Sequence, residues 1–132
     1  MQNSLVLLIA RVLLSFMFIM AGLQKFGAIE GTAGYISSVG LPAGTALAWL
    51  SAIFETLAGI AILVGFQTRI AAWALAAFCV FTAFMFHYVP GDMMQTMIMT
   101  KNLTIAGGFL ALSVAGAGAW SVDARRGAVA YA

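Results

Sequence analysis

Four apolar runs, Leu5 to Leu23, Thr45 to Phe66, Ile70 to Val89 and Leu103 to Trp120, succeed one another with short polar intervals between them. Crossing a hydrocarbon layer roughly 30 Å thick takes about 20 apolar residues at 1.5 Å rise each, and all four runs are of that order. Lipid offers no partner for an unpaired peptide group, so runs of this kind fold as helices. The pattern predicts an all-α fold: an integral membrane four-helix bundle, one domain over residues 1–132 with spans at about 5–23, 45–66, 70–89 and 103–120. Only GFQTR parts the second run from the third, which makes those two helices antiparallel neighbours. In the first long connection, GTAGYISSVGLP (residues 31–42) reads as a short interfacial helix closed by Gly40 and Pro42.

The few polar residues inside the runs recur at helical spacing. Arg11, Ser15, Phe18, Gly22 and Lys25 share one face of the first helix, and Ala48, Ser51, Ala52, Glu55 and Gly59 share one face of the second. Measured from the end of the bundle away from the termini, Arg11 lies about 16 Å deep and Glu55 about 15–18 Å deep by helical rise. A guanidinium at mid-bilayer costs about 2.5–3.5 kcal/mol on insertion scales, and a bidentate carboxylate satisfies its donors. Arg11 and Glu55 are therefore predicted to form a buried ion pair. Gly107, Ala111, Ala115 and Ala119 in the fourth run, with Ala72 and Ala76 in the third, supply the small-residue faces on which helices pack in lipid.

Composition sharpens this picture. Hydrophobic residues make up 64% of the chain and charged residues 8%, against about 25% charged in an ordinary soluble domain. A net charge of +2, spread singly along apolar helices, forms no patch for nucleic acid. Cys79 is the single cysteine, so neither an internal disulfide nor a CxxC pair exists and any redox chemistry must use a borrowed cofactor or partner. The first ten residues carry no basic side chain and the run after them is of spanning length, so the first segment reads as a retained helix and not a cleaved signal. The positive-inside rule puts both termini in the cytoplasm (N-in/C-in): Arg69, Arg125 and Arg126 fall inside, Lys25 and Lys101 outside, a margin of one residue. Trp49, Trp73 and Trp120 stand near run ends, where interfacial aromatic belts form.

Antiparallel order gathers Lys25, His87, Lys101 and Asn102 at the outer end as a basic, hydrogen-bonding rim above the buried pair. A rim of this kind suits the head of an amphiphile whose tail lies among the helices: a quinone, an isoprenoid or a lipid. His87 is the candidate proton donor or acceptor, because imidazole exchanges protons most readily at physiological pH. The opposing readings are plain. His87 could be an interfacial side chain satisfied by water, Lys101 a snorkelling anchor, and the Arg11–Glu55 pair a clamp that fixes helix register. Met85, Met93, Met94, Met97 and Met99 around His87 could hold Cu(I), but Met93 and Met97 also describe one apolar helix face, and no metal is expected. No phosphate loop, HExxH or CxxCH occurs, and GAGAW (116–120) closes an apolar run instead of opening a nucleotide loop.

The ordered set IARVLLSFMFIMAGLQKF, GTAGYISSVGLP, FETLAGIAILVGFQTRIAAWAL, TAFMFHYV, TKNLTIAGGFLAL and GAGAWSVDARR resembles the DoxX family of small bacterial inner-membrane proteins, from about residue 5 to 126. The family's characteristic polar positions match Arg11, Lys25, Glu55, Arg69, His87, Lys101 and Asn102. The resemblance implies a multi-pass four-helix domain in the bacterial inner (cytoplasmic) membrane, similar to the membrane portions of quinone-linked enzymes, with family members associated with respiratory or sulfur-oxidising complexes and redox stress. The leading expectation is a quinone- or isoprenoid-binding subunit that supports a membrane redox process; as an enzyme it would be a quinone-linked oxidoreductase subunit needing a partner protein. Its contacts would be the lipid bilayer, a redox partner and further copies of itself, and not nucleic acid. The alternative is a non-catalytic membrane scaffold or lipid-binding protein. Transport would need a continuous polar path, for which the inner half of the bundle offers too few polar groups.

Overall fold

The computed structural model describes residues 2–127; the two ends of the expected 1–132 domain lie outside them. Six helices follow in order: α1 (Gln2–Phe26), α2 (Ile29–Ser38), α3 (Gly44–Val64), α4 (Thr68–Phe86), α5 (Met93–Ala115) and α6 (Val122–Arg125). Among the described residues there is no strand, and α1, α3, α4 and α5 are long and apolar enough to cross a membrane. The fold is all-α, with the four spanning helices that the hydropathy pattern predicts and α2 in the first long connection.

Backbone chemistry sets the helix ends. At the end of α3, Gly65 takes φ 74° and the Phe66 N–H reaches back to the Ala61 carbonyl at 2.8 Å, a Schellman-type cap. α5 begins where the Asp92 carboxylate accepts the Gln95 N–H at 3.1 Å, and it stops where Gly116 turns the chain at φ 81°. The fourth span thus starts well before Leu103 and ends short of Trp120. Hydropathy marks where polar side chains cease, whereas the Gln, Thr, Lys and Asn residues of the first turns of α5 are helical all the same. Past α5 the chain doubles back. Asp123 lays its carboxylate across the first turn of α4, accepting the N–H groups of Gln67 at 2.8 Å and Thr68 at 3.0 Å, while its own N–H donates to Gly65 O at 2.8 Å. Gln67, with φ 48°, makes no side-chain cap of its own, so the cap of α4 is supplied from the far end of the sequence.

α1 packs chiefly on α3, and α4 on α5. In the first seam a Cβ added to Gly22 would lie 2.8 Å from Thr56 N and 2.9 Å from Ala52 O, so the two backbones touch. The polar stripes face inward as their spacing requires: Arg11, Ser15, Phe18 and Gly22 are buried on α1, and Ala48, Ala52, Glu55 and Gly59 on α3. Ala72 and Ala76 are buried in α4. The small residues of the fourth run are not: Gly107, Ala111, Ala115 and Ala119 are exposed, and α5 turns Ala106, Phe109, Leu112 and Ser113 inward instead. Toward α1 this face presents a ring and not a small residue, with Phe109 set edge-on to Phe18 at 5.5 Å. α3 and α4 are neighbours across the short GFQTR turn but pack less extensively than the two main pairs. Between the pairs lies a cavity, with α2 resting on α3 at one end of it.

Candidate functional site

The cavity has a volume of about 890 Å³ and is walled by α1, α2, α3 and α4, with Asn102 from α5. That is within the range of small-molecule sites, roughly 300–1,000 Å³. Most of its wall is apolar: Met17 and Phe18 from α1, Leu47, Leu50 and Phe54 from α3, Ala74, Ala77, Phe78 and Phe81 from α4. Set into it are the polar groups of Lys25, Ser51, Glu55, Thr82, His87 and Asn102. Lys25, in the last turn of α1, donates to both carboxylate oxygens of Glu55 at 2.9 and 3.1 Å. Its side chain is 27% exposed and that of Glu55 4%, so the carboxylate depends on this one ammonium in a setting where polar contacts are strengthened by low dielectric.

On the other wall, Asn102 Nδ2 donates to Thr82 Oγ1 at 3.1 Å, and the Thr82 hydroxyl in turn donates to the Phe78 carbonyl at 2.9 Å. His87 caps the C-terminus of α4, and its Nδ1 lies 2.8 Å from Gln95 Oε1. Either a protonated Nδ1 donates to the carboxamide oxygen or, with the amide turned over, its NH2 donates to Nδ1, and in both cases Nε2 is left free of the contact. Tyr35 of α2 donates its hydroxyl to Phe86 O at 3.2 Å and stacks on the Phe86 ring at 5.3 Å. The site thus offers N–H donors and an imidazole set into a largely hydrocarbon wall.

Of the residues singled out in the sequence, Lys25, Glu55, His87 and Asn102 meet at this cavity. Lys101 does not: it is exposed on α5, one residue and about 100° around the helix from Asn102. Met93, Met94 and Met97 are likewise exposed at the start of α5. Tyr35, Thr82 and Gln95 escaped notice. Thr82 alone gave a signal, as the single hydroxyl in the body of the apolar α4.

The predicted Arg11–Glu55 pair does not form, because Lys25 takes the carboxylate. Counting from run ends set Gly22 opposite Thr45, but the glycine contact sets Gly22 opposite Ala52 and Thr56. The two helices are therefore slid by on the order of ten residues, or about 15 Å, from that count. Arg11 comes instead to the C-terminal end of α3, near Gly65, and its Nη2 donates to the Trp120 carbonyl at 2.6 Å. Two helix ends, those of α3 and α5, converge there, and the partial negative charge of their free carbonyls suits a cation. Arg69 does the same nearby, donating from Nη1 to Ser113 O at 2.8 Å. Both arginines answer backbone carbonyls, and neither faces the cavity.

The DoxX family model matches residues 6–88. The chain is 42% identical over 116 residues to inner membrane protein YqjF of Escherichia coli (strain K12), covering 88% of each chain. It is 36% identical over 124 residues to inner membrane protein YphA of the same organism, covering 90% of this chain and 89% of that one. A shorter similarity, 36% identity over 63 residues and 48% of this chain, links it to CatD of Bacillus subtilis (strain 168), whose name assigns it provisionally to the oxidoreductases and 46% of which is matched. No solved structure matches the chain.

Proposed function

This chain belongs to the DoxX family, and from that premise we propose that it is a multi-pass protein of the bacterial inner membrane whose cavity binds a quinone or a similar isoprenoid amphiphile in support of a membrane redox process. The observation that carries the reading is one cavity of about 890 Å³ whose largely apolar wall carries Lys25, Asn102 and His87. An amphiphile needs both kinds of surface, and the donor set fits a head bearing carbonyl or hydroxyl oxygens. The similarity to CatD points the same way through that protein's name alone.

Lys25 and Asn102 would donate hydrogen bonds to the head. Glu55 would hold Lys25 in place, which makes it a positioning residue. His87, with Nδ1 tied to the Gln95 carboxamide, would receive or release a proton at Nε2 as the head changes charge. A bound quinone would supply two-electron chemistry, and the electrons would come from a partner protein, since the single cysteine and the absence of a CxxC pair leave the chain no dithiol of its own.

One observation favours the non-catalytic reading: Lys25 with Glu55, Asn102 with Thr82 and His87 with Gln95 are already partnered within the chain. A scaffold or lipid-binding protein would need nothing more. Extraction of the purified protein followed by mass spectrometry, with titration of a tailed benzoquinone, separates the two. Bound quinone, weakened roughly tenfold by Asn102→Leu, supports the leading reading. Phospholipid alone, with no saturable quinone binding, leaves the scaffold.

A further inference from the structure

The walls of the cavity differ in what stands behind them. At the α2 end the way to water is roofed: Ile36 of α2 is buried, and Tyr35 fastens α2 to α4 through the Phe86 carbonyl at 3.2 Å and the Phe86 ring. On the α1–α5 side, Leu14 lies against Gly108 and Leu7 against Gly118, and Met17 is the exposed wall residue of α1. On the α3–α4 side the wall is made of residues that face cavity and surroundings at once. Leu50 of α3 is 61% exposed and Phe81 of α4 is 49% exposed, and the small Ala77, one turn before Phe81 on α4, is exposed and lines the cavity as well. Those two helices are joined in sequence by the Gly65–Gln67 turn at the far end, and they pack less extensively than α1 with α3 or α4 with α5, though more extensively than α1 with α5. The ring pair Phe54–Phe78, with centroids at 5.3 Å, spans the same seam.

We propose that the ligand enters sideways from the bilayer through the α3–α4 seam, and that it is an amphiphile with a single hydrocarbon tail. Its head lies inward at Lys25 and Asn102, and its tail leaves past Ala77 between Leu50 and Phe81. The inference rests on the reading of the cavity as an amphiphile site and adds the route and the tail. A second chain would have to part the Phe54–Phe78 contact further, and a tailless polar compound would gain nothing from the seam. The Phe54–Phe78 pair would part and re-form around the chain, its ring contact replaced by contact with the tail.

The test uses the full chain in lipid nanodiscs and two probes: a decyl-tailed benzoquinone, and the same ring with a methyl group in place of the tail. Ala77→Trp plugs the seam without touching Lys25 or Asn102, and Met17→Trp places the same ring on the opposite edge. The proposal expects Ala77→Trp to weaken the tailed probe roughly tenfold or more and the tailless probe less than about twofold, with Met17→Trp weakening neither to that degree. An unchanged thermal transition establishes that the variants are folded. Should Ala77→Trp leave the tailed probe unaffected, or weaken both probes equally in a folded protein, the lateral route is overturned while the amphiphile site stands. If the unaltered protein binds neither probe, the reading of the cavity falls and the route with it.

Discussion

Glu55 is held by one ammonium that is itself 27% exposed. Removing that partner leaves a carboxylate in an apolar wall, and breaking a fully buried pair costs about 3–5 kcal/mol; with partial exposure roughly 1–3 kcal/mol is expected for Lys25→Met. Replacing both partners, Lys25→Met with Glu55→Leu, should recover most of that loss, because apolar groups of similar volume need no counter-charge. Denaturant titration in detergent checks both, and a double variant no better than the single one would show that the pair does more than neutralise itself. Four polar residues of the cavity wall were legible in the sequence, because a polar residue in an apolar run has few reasons to be there, though the same argument also chose Lys101, which stands outside it. Lys25, Glu55, His87 and Asn102 all came from that argument. Their pairing was not legible: depth counts assume that helices start level, and a single glycine contact moved Arg11 away from Glu55 and brought Lys25 to it.

Among the elements, two glycines that look alike in sequence sit in opposite surroundings. A methyl group at Gly22 would meet the backbone of Thr56 and Ala52 inside 3 Å, whereas one at Gly107 would meet nothing within 4 Å. Gly22→Ala should therefore push α1 from α3 and destabilise the protein by about 1–3 kcal/mol, while Gly107→Ala should be neutral or slightly stabilising through helix propensity, by up to about 1 kcal/mol. Thermal or denaturant melts of the two variants side by side decide this, and equal losses would overturn the assignment of the seam. The four spans and the short helix after the first were readable from hydropathy and from the Gly40–Pro42 stop. Which face of α5 turns inward was not, since small residues permit close packing without requiring it. The capping of α4 by Asp123 was hidden too, because it joins residues that nothing local connects.

For the whole molecule, an even number of spans puts both ends of the bundle's sequence on one side, and the basic residues argue for the cytoplasm by a margin of one. Because Cys79 is buried, a membrane-impermeant maleimide should report on introduced cysteines at the exposed positions Asn3 and Ser38. Ser38→Cys is expected to label in intact spheroplasts and Asn3→Cys after lysis alone; the reverse pattern would invert the orientation. The Arg11 contact bears on how such a chain is made. Its acceptor, the Trp120 carbonyl, lies 109 residues downstream, so the first helix enters the membrane long before the group that answers its charge has left the ribosome. Until synthesis has passed α5 and made Trp120, that guanidinium lacks this acceptor, and the contact that ties the first helix to the far end of the bundle closes last.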